Sequence, residues 1–173
     1  MTTPIQMIQA VGAIANDGIM MKPHIVKAIY YNDHTEVIQP EVVGRPISAE
    51  TAHTVTDMLE TSLEVEASDA LLDGVKIAGK TGTGEIAKEG YGSVLNVTNA
   101  SFVGWGPSDD PHFIAYVWLQ EPWISIGGSE GSATLFSDVR NEIMPYLHIP
   151  YDRQRACLDS KTCPTEVPKN EYY

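Results

Sequence analysis

A chain of 173 residues with 43% hydrophobic content can bury a core, and a net charge of −12 leaves no basic patch to neutralise phosphates. Nucleic-acid binding is therefore excluded, and the acidity reads as a solubility feature. No apolar run approaches the ~18 residues of a membrane helix, and M-T-T-P-I-Q lacks the basic and apolar regions of a secretion signal.

Thr3-Pro4-Ile5-Gln6 opens the first predicted helix: Thr3 caps, Pro4 suits the first turn, and Gln6 completes a capping box. Ile5, Ile8, Val11 and Ala15 form its apolar stripe, and Gly18 ends it. Met21 to Tyr31 reads as extended, Asn32-Asp33-His34 as a turn, and Glu36 to Ile38 as a return strand. Ser48 caps a second helix reaching about Ser62, with Ala52, Val55, Met58 and Leu59 expected inside.

A loose acidic segment, Glu64 to Asp73, is expected next. The strand V-K-I-A-G-K-T-G-T follows it, from Val75 to Thr83. Lys88 to Leu95 suits a long hairpin connection, and Ala100 to Trp105 and Phe113 to Leu119 are two more strands. The turn Pro107-Ser108-Asp109-Asp110-Pro111 separates them. A bend at Gly127 to Gly131 enters a last helix with Ser129 or Ser132 as cap and Leu135, Val139, Ile143 and Leu147 as stripe; Pro150 lies past its end. Residues 1–150 thus make one mixed unit of helices on a small antiparallel sheet, an α+β fold. Residues 151–173 read as a polar flexible tail. Three strands leave two open sheet edges, which hints at missing partner strands. Cys157 and Cys163, both in the tail, either form a small disulfide loop or stay as thiols.

Three short patterns invite functional readings. Gly74 to Thr81 fits the phosphate-loop expression, but Val75 and Ile77 favour extension, and Gly82-Thr83-Gly84 is poor material for the helix that such a loop must open. Gly82 to Ala87 fits a dinucleotide fingerprint, yet Lys88-Glu89-Gly90-Tyr91-Gly92 would break the helix it requires. Gly127 to Gly131 fits G-x-S-x-G, but Asp138 and His148 would share one helix and could not reach Ser129 from separate strands. His24, His34, His53 and His112 are scattered without metal-ligand spacing, and no metal or cofactor is expected. Asn96-Val97-Thr98 and Asn99-Ala100-Ser101 match the glycosylation pattern, which arises often by chance. Trp105, Trp118 and Trp123 read as core or rim aromatics rather than a sugar platform.

Lys80, Thr81, Gly82 and Thr83 make a compact anion-reading edge: a point charge with three donors, two hydroxyls, and a glycine that lets a ligand approach the backbone. Around them stand further blocks in order. They are T-T-P-I-Q-M-I-Q-A, A-N-D-G and K-P-H-I-V between Thr2 and Val26, A-G-K-T-G-T at Ala78 to Thr83, G-Y-G, and A-S-F-V-G-W-G-P at Ala100 to Pro107. The glycine-rich bend before Phe136 closes the series. Together they resemble the C-terminal part of the transpeptidase domain of class B penicillin-binding proteins, from about Thr3 to Pro150.

The resemblance implies a five-stranded sheet between helices and a serine in S-x-x-K that attacks a D-Ala-D-Ala stem peptide or a β-lactam. It also implies an assisting S-x-N and a K-T-G strand lining the pocket opposite. By position, Lys80 would tune the electrostatics and the proton relay. Thr81 and Thr83 would bind the ligand carboxylate, the Thr83 N–H would be an oxyanion donor, and Gly82 would admit the acyl group. It further implies peptidoglycan cross-linking on the outer face of the bacterial cell membrane. The chain departs from the family in having no S-x-x-K and no S-x-N. It also has Gly84-Glu85 after the motif and Thr134 where proline is usual. Lys80 and Thr83 are therefore catalytic candidates without their nucleophile, and the missing N-terminal part of the domain becomes an expected partner. The other readings are a non-catalytic binding module or split partner of a cell-wall enzyme, and a phosphate-loop nucleotide binder.

Overall fold

The structure, a computed structural model, describes residues 2–71, 75–88, 92–122 and 131–149. The chain runs α1 (Pro4–Ala15), β1 (Met20–Met21), β2 (Ala28–Tyr30), β3 (Thr35–Val37), β4 (Val42–Gly44) and α2 (Ala49–Glu66). A short 3-10 turn (Ser68–Ala70) leads to β5 (Ala78–Lys88), β6 (Gly92–Gly106), β7 (Phe113–Leu119) and α3 (Ala133–Tyr146). The mixed antiparallel α+β architecture is as expected.

Local chemistry sets the helix ends. In α1 the Gln6 N–H donates to Thr3 Oγ1 at 3.3 Å while the Thr3 N–H donates to Gln6 Oε1 at 2.9 Å, so both halves of the capping box form. Gly18, at φ +81°, turns the chain after α1, and its N–H donates to the Ala13 carbonyl at 2.8 Å. A side chain there would run into the Ile47 carbonyl, so only glycine fits. Ser48 caps α2 by accepting from the Thr51 N–H at 3.1 Å.

Two expectations about α2 are corrected. The helix continues one turn past Ser62, through Glu66, so the loose segment expected from Glu64 begins as helix. Its buried positions are Ala52, Thr56 and Leu63, whereas Met58 is 64% exposed. The helical period continues through Leu63 to the buried Ala67, and burying those two against the rest of the core extends the helix.

The sheet that matters is three-stranded, in the order β5-β6-β7, with both pairings antiparallel. The small pairs β1 with β4 and β2 with β3 stand outside it, and they carry exposed apolar side chains such as Ile29, Val37 and Val42. The strands flanking the expected long connection are longer than the sequence suggested: β5 reaches Lys88 and β6 starts at Gly92.

One sheet face carries Phe102 with Val117 and Ala115, and α3 covers it. Phe136 of α3 lies 4.6 Å from Phe102, centroid to centroid, tilted at 47°. The paired Gly79 and Gly104 make the bay for these rings. A Cβ on Gly79 would stand 2.7 Å from the Val103 carbonyl oxygen, and one on Gly104 would stand 3.0 Å from the Phe136 ring.

The buried stripe of α3 is Ala133, Phe136, Arg140 and Met144 rather than the expected Leu135, Val139, Ile143 and Leu147. Both sets recur at helical spacing. The ring bay selects the first, and Leu135 and Leu147 are left exposed. Buried Arg140 donates to the Ala70 carbonyl, and also to Ser137 Oγ at 2.7 Å and Asn141 Oδ1 at 3.1 Å, so it ties α3 to the turn that follows α2. Ser132 occupies the cap position of α3 without a side-chain cap bond. Trp105 is fully buried and Trp118 is half exposed, as core and rim residues. The bend at 127–130, Trp123, Pro150 and the 151–173 tail with Cys157 and Cys163 lie outside the described residues.

Candidate active site

All of the candidate residues stand on β5, which is one outer strand of the sheet. Lys80 is opposite Val103, Thr81 opposite Phe102, Gly82 opposite Ser101 and Thr83 opposite Ala100. Gly79, Lys80 and Thr81 are consecutive residues within an extended strand and open no helix. That geometry removes the phosphate-loop reading and, with Gly82 to Ala87 in the same strand, the dinucleotide reading. Among the described residues the outer edge of β5 pairs with no other strand.

Lys80 and Thr83 are exposed, and Thr81 and Gly82 are half-buried. The Lys80 ammonium donates to Thr81 Oγ1 at 3.1 Å and to Glu66 Oε2 at 2.8 Å. A charge and a hydroxyl thus stand together on one edge, the arrangement that recognises a carboxylate. Glu66 was not singled out from the sequence. It is the last residue of α2, a helix with no basic residue in its final turn, so Lys80 supplies the cation for that negative helix end. The hydrogen bond from Lys80, then its charge, hold the Glu66 carboxyl below the ordinary 4.5. A hydrogen bond with Ser62 acts in the same direction, and desolvation opposes both.

Gly82 has an internal reason as well as the expected functional one. A Cβ there would stand 2.5 Å from Ser101 Oγ, and that hydroxyl donates to the Gly82 carbonyl at 3.5 Å. Ser101 is a second residue that sequence reasoning missed, because only the register of β5 on β6 brings it beside the motif.

His34, His53 and His112 are each paired with an aspartate on the surface. No cluster able to hold a metal occurs among the described residues. A cleft of about 680 Å³ lies between the start of α1 and the far strand, where Thr3, Met7, Asn99, Tyr116 and Trp118 line it. The outer edge of β7 also pairs with no strand among the described residues.

Comparison with known proteins decides the family. Residues 1–141 match the sequence profile described as "Penicillin binding protein transpeptidase domain". The chain belongs to the penicillin-binding protein transpeptidase family. It is 30% identical over 161 residues to the penicillin-binding protein PbpB of Mycolicibacterium smegmatis, covering 86% of this chain and 25% of that protein. It is also 30% identical to the stage V sporulation protein D of Bacillus subtilis, covering 96% of this chain and 27% of that one.

The crystal structure of penicillin-binding protein 3 from Mycobacterium tuberculosis complexed with aztreonam superposes with a TM-score of 0.74 at 31% identity. The match covers 87% of this chain and 36% of that one. The apo transpeptidase domain of Burkholderia pseudomallei penicillin-binding protein 3 superposes at 0.69 and 28% identity, over 85% of this chain and 43% of the other. The chain therefore spans about a quarter of the curated relatives it matches, and it is a partial transpeptidase domain. No described helix is long and apolar enough to cross a membrane.

Proposed function

We propose that this chain supplies the K-T-G half of a serine D,D-transpeptidase site that cross-links peptidoglycan stem peptides and is acylated by β-lactams. The observation that carries this reading is the placement of Lys80-Thr81-Gly82-Thr83 on an open sheet edge within a transpeptidase-family match. In this reading Lys80 and the hydroxyls of Thr81 and Thr83 hold the ligand's terminal carboxylate. The Thr83 N–H points at the carbonyl oxygen that becomes negative when serine attacks, and Gly82 keeps that approach open. The serine Oγ bonds to the carbonyl carbon, the amide C–N bond breaks, and the amine leaves with a proton delivered by the relay to which Lys80 belongs.

The serine and its S-x-x-K lysine do not occur in this sequence, so they come from the remaining part of the domain. The unpaired edge of β7 and the groove with half-exposed Trp118 support its docking there. Residues 1–150 are then the domain piece, residues 151–173 a polar tail, and the working site is the outer face of the cytoplasmic membrane.

The test joins this chain behind the S-x-x-K and S-x-N portion of the M. tuberculosis relative and measures acylation by ampicillin with intact-mass spectrometry. The joined protein gains the mass of one β-lactam, and the isolated chain gains none. Lys80→Ala in the joined protein slows acylation at least about a hundredfold. An adduct on the isolated chain, or full-speed acylation with Lys80→Ala, would refute the assignment.

A further inference from the structure

Glu66 lies outside the K-T-G motif, yet its carboxylate touches the one ammonium of that motif. Lys80 Nζ stands 2.8 Å from Glu66 Oε2 and 3.1 Å from Thr81 Oγ1, so two of its three N–H donors already have acceptors. One acceptor is an anion of the same chemical type that the edge is proposed to recognise. Both partners are half exposed, at 50% and 51% of their side-chain area, so neither is locked in place by packing. Glu66 also ends a helix whose last turn holds no basic residue, which draws the ammonium towards α2 and away from the open side of β5.

We propose that Glu66 is a built-in competitor for the ligand carboxylate at the Lys80–Thr81 edge. An incoming carboxylate displaces Glu66 from the ammonium or shares the ammonium with it, and in either case binds more weakly than it would to Lys80 alone. An exposed pair of this kind carries a modest interaction, so the attenuation reaches up to about fivefold in affinity. The consequence is selectivity. A lone carboxylate gains little from this edge, while a ligand that also makes backbone contacts along β5 can displace Glu66. This inference deepens the transpeptidase reading and rests on it for the identity of the natural ligand, but the competition itself is a property of this chain alone.

The experiment titrates the 173-residue chain with acetate, following the Lys80 side-chain methylene signals by NMR, in the wild type, Glu66→Gln and Glu64→Gln. Glu64→Gln removes the same charge from the same helix without a contact to Lys80 and controls for long-range electrostatics. Glu66→Gln should half-saturate at up to about fivefold lower acetate than the wild type, with Glu64→Gln close to the wild type. Equal titration of wild type and Glu66→Gln, an equal gain in Glu64→Gln, or no acetate response in any of them overturns the proposal. A second titration uses N-acetyl-D-alanyl-D-alanine. If that peptide leaves Lys80 and Thr83 unmoved while the acetate difference holds, the competitor stands and the transpeptidase reading of the edge fails.

Discussion

Lys80 and Glu66 show how one contact sets the electrostatics of the site. Two half-exposed side chains meet at 2.8 Å, and the lysine's hydrogen bond and charge keep the glutamate ionised below its ordinary range. The folded state therefore binds a proton at Glu66 less readily than the unfolded chain does. The pair's contribution to stability is complete above the ordinary carboxylate value of 4.5 and is lost as pH falls through the lowered folded value. In a carboxyl NMR titration Glu66 should titrate below the ordinary carboxylate value of 4.5, and Lys80→Ala should return it upward. A Glu66 titration that Lys80→Ala leaves unmoved would remove the contact. Gly82 adds a different lesson at this scale: its missing side chain also makes room inside the protein for the Ser101 hydroxyl.

Helix α3 illustrates how an element's amphipathicity can mislead. Leu135, Val139, Ile143 and Leu147 form the more apolar stripe on paper, yet the stripe containing Arg140 is the one that faces the core. The arginine is tolerated there because the Ala70 carbonyl, Ser137 and Asn141 accept its hydrogen bonds. Arg140→Met keeps most of the volume but leaves the Ala70 carbonyl without its donor. It should cost about 1–3 kcal/mol, seen as a lower urea midpoint with an unchanged slope. The turn after α2 would loosen with it, and that turn leads towards β5. A midpoint equal to the wild type would show that Arg140 is not what joins the two elements.

At the scale of the molecule, a single core holds the K-T-G strand in place from behind. Leu63, Ile77, Phe102, Phe136 and Met144 come from α2, the approach to β5, β6 and α3, and each is fully buried. Phe136 is central because its ring meets both Phe102 and Phe113. Phe136→Ala should destabilise the chain by about 3–5 kcal/mol, a large part of a small domain's stability, as read by thermal unfolding. A loss under about 1 kcal/mol would mean that the ring bay is not part of a close-packed interior.

The sequence by itself determined the helix caps at Thr3 and Ser48, the three consecutive strands, the turn at Pro107 to Pro111 and the K-T-G edge, because each rests on neighbours within a few residues. It also carried the family, since the ordered blocks from Thr2 to Pro107 are themselves the signal. Tertiary structure decided which of two helical stripes of α3 is buried, how far α2 runs, and that Ser101 and Glu66 stand beside the motif. Those outcomes depend on strand register and on contacts between residues 14 or more positions apart, such as Lys80 with Glu66. No local periodicity encodes such contacts, because they exist only after the sheet has closed on its helices.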